Sequence, residues 1–180
     1  MFKNINYESS EKVLRELKGL ASKKLSEAKS MPKELYTSNE ILELEKKHIF
    51  SKEWVCAGRE KEIPNSGDYF TFQIDNQPIV ILRDENNNVK ALSNVCLHRM
   101  MKIVEGKGNK KRFTCPYHAW TYSLDGQLVM AKYMDKTDCF NKDDMTLPQI
   151  KCEVFLGWIY VSLNNNIHSV SSKLKELREI

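Results

Sequence analysis

Apolar and polar positions change their rhythm twice along this chain. Leu14, Leu17, Ala21, Leu25 and Ala28 recur at spacings of three and four, with lysines and glutamates between them. That period predicts an amphipathic helix over 11–30, capped by Ser10, favoured by Glu11 at its positive end and closed by Pro32. Thr37-Ser38-Asn39-Glu40 reads as a capping box with Thr37 as the cap. A second helix is expected through Ile41, Leu44 and His48 to about Phe50, with His48 on or near its buried face as a packing histidine. After Trp54 short β-rich runs take over, at 54–57, 69–74, 78–82, 89–92, 112–114, 119–123, 128–130 and 153–163. Turn signals separate them: Asn65-Ser66-Gly67-Asp68, Asp84-Glu85-Asn86-Asn87-Asn88, and Asp125-Gly126 as a two-residue hairpin signal. Such spacing predicts a mainly β chain, a small antiparallel sandwich or barrel behind an N-terminal helical arm. Leu174, Leu177 and Ile180 return to helical spacing, with Ser171 or Ser172 as a cap.

Composition narrows the class. At 180 residues, 41% hydrophobic and 29% charged, the chain has globular proportions. A net charge of +4, with no basic block interleaved with aromatics, gives no support to nucleic-acid binding, although a mildly basic surface would suit an acidic protein partner. No run of apolar residues is long enough to span a membrane, and the first ten residues are not a secretion signal. Five cysteines at irregular spacing do not form a secreted disulfide framework, and the cytoplasm is the expected compartment. Cys56 and Cys152 flank apolar strand residues, where packing as small hydrophobes is expected.

Two short ligand pairs carry the chemistry. Cys96-Leu97-His98 and Cys115-Pro116-Tyr117-His118 stand sixteen residues apart, each in a loop between strands. Two such loops held side by side supply two thiolates and two imidazoles. A [2Fe–2S] cluster with one iron on two cysteines and the other on two histidines requires that set, and neutral imidazoles in place of thiolates make it easier to reduce. Structural zinc in a Cys₂His₂ shell is the competing reading, although zinc modules place cysteines together in one knuckle and histidines in another.

The flanking residues decide between them. Asn94-Val95-Cys96-Leu97-His98-Arg99 and the stretch from Cys115 through Ala119-Trp120-Thr121-Tyr122-Ser123-Leu124-Asp125-Gly126 resemble the Rieske boxes of ring-hydroxylating oxygenase α subunits, a family that includes choline-monooxygenase-like enzymes. The resemblance extends from Tyr36-Thr37-Ser38, through Ile49 to Trp54 and Gly67-Asp68-Tyr69, to Gly157-Trp158-Ile159-Tyr160-Val161. It implies a Rieske-type antiparallel β-sandwich with a small cluster-binding subdomain. It also implies that Cys96, His98, Cys115 and His118 bind the cluster. Met100 and Ala119 depart from the pattern, since glycine is common at both places. Met101 and Tyr117 stand where respiratory Rieske proteins carry two bridging cysteines. With no such brace and few donors to the sulfurs, a potential near the low end of the Rieske range is expected, roughly −150 mV.

The family pattern divides the chain into a helical arm (1–50), the Rieske domain (51–166) and the start of a linker or helix (167–180). It implies one-electron transfer as the domain through which electrons enter a terminal mono- or dioxygenase. A reductase or ferredoxin would be the donor. The recipient would be a mononuclear Fe(II) in a catalytic domain of the same or a neighbouring subunit, within a trimer. The remaining histidines, His48 and His168, do not form that second iron site, so no catalytic residue is expected in the chain itself. A free-standing Rieske ferredoxin is the alternative, and a zinc module the lesser one.

Overall fold

The strand Gln77–Arg83 (β3) shows how the β part is built, for it is buried on both faces from Ile79 to Arg83. Val80 and Leu82 point into one apolar cluster, with Leu92, Phe113, Tyr122 and Leu128; Ile79 and Ile81 point into another, with Ile63, Ile74, Ile159 and Val161. A strand between two cores gains nothing from polar alternation, so it reads as a continuous apolar run. The computed structural model describes residues 7–134 and 137–178.

The other strands are Val55–Arg59 (β1), Asp68–Ile74 (β2), Val89–Ser93 (β4), Lys107–Asn109 (β5), Phe113–Thr114 (β6), Thr121–Tyr122 (β7), Leu128–Met130 (β8), Gln149–Phe155 (β9) and Trp158–Ser162 (β10). Seven form a sheet in the order β1-β10-β9-β4-β3-β2-β5; the other three form a small sheet, β6-β7-β8. All the pairings are antiparallel. The expected mainly β architecture is therefore present, with the small sheet as a subdomain.

The run at 153–163 resolves into two strands around a turn at Leu156 and Gly157, whose φ values of 52° and 76° are the left-handed pair of a tight hairpin. Asp125-Gly126 does turn the chain, but the hairpin from β7 to β8 is wider than two residues, because Ser123 N–H bonds Gln127 O at 2.9 Å. Gly126, at φ 89°, lies where a Cβ would come within 3.3 Å of Leu147. β5 escaped the sequence reading because its three residues are all exposed and two are Lys and Asn.

By spatial grouping the chain forms two compact units, Met1–Ile49 and Phe50–Ile180. In the first, helix α1 covers Tyr7–Ala21, a short α2 covers Glu34–Thr37, and α3 covers Asn39–Glu45 before running into a wide π turn at Lys46–Phe50. Five sequence expectations need correction here. Ser10 is not a cap but lies buried inside α1. The helix ends nine residues early, at Ala21, two residues past Gly19, whose carbonyl accepts from Ser22 Oγ. Its inward stripe is Val13, Leu17 and Leu20; Leu25 is 92% exposed. Ser38 rather than Thr37 caps α3, accepting from Ile41 N–H at 3.4 Å, while Thr37 donates back to Lys33 O. The π turn also rotates His48 to an exposed position, so it is not a packing histidine.

In the second unit the tail docks on the sheet. Helix α4 (Val170–Lys173) is capped by Ser169, not by Ser171 or Ser172. Val170 N–H bonds Glu153 Oε2 at 2.8 Å, and Trp54 Nε1 donates to His168 O. Ile180 lies outside the described residues. Cys152 packs against the second core and burial pushes its thiol up to about 12, whereas Cys56 is exposed on the outer face, contrary to the packing role expected of it.

Candidate metal centre

Cys96 follows β4 and Cys115 follows β6, so the two ligand loops issue from the large and the small sheet and meet at one end of the first core. They have the same backbone design. In the first, Met100 N–H bonds Cys96 O at 3.0 Å and Cys96 N–H bonds Met101 O at 2.8 Å; in the second, Ala119 N–H bonds Cys115 O at 3.0 Å and Cys115 N–H bonds Trp120 O at 2.8 Å. Each turn closes through a residue in the left-handed region, Met100 at φ 55° and Ala119 at φ 58°. Glycine is at ease there and other residues are not, which is a physical reason for the glycine of the resembled pattern at both places.

The donors sort by type. Each loop mixes a cysteine with a histidine, yet the Cys96 and Cys115 thiols lie close enough to interact, and the His98 and His118 rings stand 4.7 Å apart between centroids. Among the described residues no three His, Cys, Asp or Glu side chains gather about one point. Both thiols are buried and both imidazoles half-buried. His118 Nδ1 is buried without a hydrogen-bond partner. Two facing thiols, two adjacent imidazoles and an orphaned ring nitrogen fit a binuclear cluster held by a cysteine pair on one side and a histidine pair on the other.

The surroundings hold these donors in usable states. Burial, helped by the neighbouring His118 and Arg99, lowers the His98 pKa and keeps the ring neutral. Burial pushes the Cys115 thiol up, opposed by the N–H groups of Tyr117 and His118 that point at its sulfur. Tyr122 is wholly buried; its oxygen accepts from Leu97 N–H at 3.1 Å and lies 3.4 Å from Cys96 Sγ. With its lone pair facing Leu97, the hydroxyl is free to donate to the sulfur, and burial holds it protonated. Trp120 stacks on His98 at 4.8 Å and 7°, with Phe140 behind it, while exposed Tyr117 lies 3.8 Å over His118.

Hydrogen bonds brace loops that lack a disulfide. Buried Asn94 accepts from Ile103 and Val104 N–H and donates to Val104 O at 2.8 Å, clamping the base of the first loop. Lys90 bonds Asp84 at 2.9 Å and also Asp125, tying the hairpin of the second loop to the large sheet. The sequence marked Asp84 and Asp125 as turn residues and Asn94 as part of a motif, but showed the bracing role of none of them. Tyr122 had a signal of its own, since Trp120, Tyr122 and Leu124 alternate inward and a buried phenol needs a partner.

Comparison with known proteins agrees with this geometry. Residues 53–141 match the family model of the Rieske [2Fe-2S] domain. The carnitine monooxygenase oxygenase subunit of Acinetobacter pittii is 36% identical over 151 residues, which is 83% of this chain and 41% of that protein. The anthranilate 1,2-dioxygenase large subunit of Acinetobacter baylyi is 39% identical over 134 residues, 73% of this chain and 28% of that one. Among solved structures, naphthalene 1,2-dioxygenase from Rhodococcus sp. superposes with a TM-score of 0.85 at 28% identity, over 97% of this chain and 40% of the other. The apo form of a quaternary ammonium Rieske monooxygenase gives 0.78 at 35% identity, over 84% and 45%. The chain thus spans less than half the length of these relatives. A donor geometry that sorts thiols from imidazoles, a family match that spans both loops and the oxygenase subunits among the relatives lead to one assignment: this chain belongs to the Rieske [2Fe–2S] family, on its oxygenase branch.

Proposed function

We propose that this chain is the domain through which single electrons enter a terminal ring-hydroxylating-type oxygenase, with Cys96, His98, Cys115 and His118 as the cluster ligands. The sorting of donors carries the reading: loops of mixed type bring thiol to thiol and imidazole to imidazole. When bound, the cluster supplies a store for one electron at a time. The chain's own residues set the terms of that transfer. His98 and His118 are half-buried where the thiols are fully buried, so their edges are the shortest way between the site and the surface. Trp120 and Tyr117 cover the ring faces against water, and Tyr122 offers a hydrogen bond to the Cys96 sulfur.

The donor is a reductase or ferredoxin. The recipient is a mononuclear iron in a catalytic domain of the same or a neighbouring subunit, as the greater length of the relatives supports. Among the described residues no helix is long and apolar enough to cross a membrane, and the five cysteines are free, as in a reducing cytoplasm. Relatives act, by their names, on quaternary amines and on aromatics alike, so the resemblance does not select a substrate.

Anaerobically purified chain should be red-brown, hold about two irons and two sulfides, and give a Rieske resonance on one-electron reduction. Replacing any of the four ligands should abolish that signal; Cys56→Ser, Cys139→Ser and Cys152→Ser should preserve it. A Cys115→Ser protein with a full Rieske spectrum would overturn the assignment.

A further inference from the structure

The segment joining the two ligand loops holds more positive charge than the whole protein. Residues 99–112 contain six cations, Arg99, Lys102, Lys107, Lys110, Lys111 and Arg112, against one acid, Glu105. That is +5 in fourteen residues, where the entire chain amounts to +4. Every one of the six is exposed. Lys102 pairs with Glu105 at 3.1 Å; the other five have no acidic partner among the described residues.

A charged run in a loop is ordinarily just a solvated face, but this one is built and placed. β5 forms the edge of the large sheet, pairing Lys107 with Phe70 and Asn109 with Asp68. Asn109 Nδ2 donates to Ser66 O and to Asp68 Oδ1, and Lys110 N–H bonds Gly67 O at 2.9 Å. Gly67 has φ 84°, and a Cβ there would stand 2.8 Å from Lys110 O, so the close approach requires glycine. At one end Arg99 adjoins His98; at the other Arg112 lies three residues before Cys115.

We propose that residues 99–112 are the docking face for an acidic one-electron carrier protein that reduces the centre, an inference that rests on the function proposed above. The carrier gives up one electron and the cluster gains one; no proton or atom moves between the proteins. Unpaired cations around a redox site raise the encounter rate with an anionic partner by about 10- to 1,000-fold at low salt. The attraction fades as the screening length falls from about 30 Å at 0.01 M to about 3 Å at 1 M. Nucleic acid would use the same charge, but the segment has no aromatic residue on which a base could stack.

The test is stopped-flow reduction of the oxidised protein by an acidic plant-type [2Fe–2S] ferredoxin, reduced beforehand and freed of reductant. In low salt, Lys107→Glu/Lys110→Glu/Lys111→Glu should slow the second-order rate by roughly 30-fold or more, the glutamine triple variant by less, and the gap should close to about threefold in 0.5 M salt. The same charge change elsewhere, Lys52→Glu/Lys61→Glu/Lys151→Glu, should slow it by less than about threefold. Cluster spectrum and midpoint potential should be unchanged throughout. Loss of the spectrum in the wild type would sink the functional reading itself. An intact spectrum with equal slowing by both triple variants, or with a salt-independent wild-type rate, would overturn the docking face alone. Salt-independent transfer with retention of an oligonucleotide by the wild type but not the 107/110/111 variants would reassign the segment to nucleic acid.

Discussion

Removing one oxygen atom from Tyr122 tests how the protein sets its own potential. In Tyr122→Phe the ring stays in its fully buried slot, but Cys96 Sγ loses a hydroxyl 3.4 Å away and Leu97 N–H loses its acceptor. A hydrogen bond to a charged group contributes about 1.5–3 kcal/mol, and only the part that differs between oxidation states moves a potential. Reduction adds negative charge to the sulfurs, so the donor favours the reduced form. If about 1 kcal/mol of the bond is differential, the potential falls by roughly 40 mV, since 59 mV corresponds to a tenfold change for one electron. The stranded Leu97 N–H costs the iron-free chain about 1–2 kcal/mol of stability as well. Protein-film voltammetry with iron analysis reads the first effect and urea denaturation the second. Tyr160→Phe, in a strand remote from both ligand loops, is the control and should shift neither. An unchanged or higher potential in a fully loaded Tyr122→Phe protein would show that the hydroxyl does not donate to the sulfur.

The other predictions follow from the braces and turns of the same loops. Asn94→Ala leaves the buried Val104 N–H and carbonyl without their partner, while Ile103 N–H keeps its bond to the residue 94 backbone carbonyl; a loss of about 2–3 kcal/mol, seen as a lower urea midpoint, should accompany poor iron retention. Ala119→Gly should stabilise the chain by up to about 1 kcal/mol by relieving a left-handed residue, and Ala119→Val should destabilise it by more than that, both measured by thermal melting. Burial alone would raise the Asp84 pKa, but bonds from Lys90 and Asn88 outweigh it and hold the carboxyl below its ordinary value of 3.8. Its stabilising effect is therefore complete above about pH 4 and lost as pH falls through the lowered value, so Asp84→Asn should weaken the fold at pH 7 and flatten its acid limb.

What the sequence revealed and what it hid have separate physical causes. Ligand loops and most strands are local: Cys-x-His, Cys-x-x-His and short β-branched runs show in a few adjacent letters. Features that depend on distant partners did not show. β5 is a strand because β2 offers it an edge, and Asn94 is a clamp because Val104 returns to it. Tyr122 sets its hydroxyl beside a sulfur twenty-six residues away. Helix registers slipped for a related reason. The leucines of the first segment suggested one stripe, yet Val13 with Leu17 and Leu20 faces inward, because burial follows the neighbouring elements more than side-chain size.

The division of the proposed donors between two sheets has a consequence for maturation. Cys96 stands on the loop after β4 and Cys115 on the loop after β6, so neither iron position is complete within one stretch of chain. A zinc knuckle with both cysteines in one turn seizes its ion while the rest of the polypeptide is still unfolded, and folding follows the metal. Here the sequence of steps is reversed. The sulfurs meet only after Tyr122, Phe113 and Leu92 have closed the core between the sheets. On the proposed ligand set the receptacle is complete only in the folded polypeptide, so iron would enter a protein that has already folded.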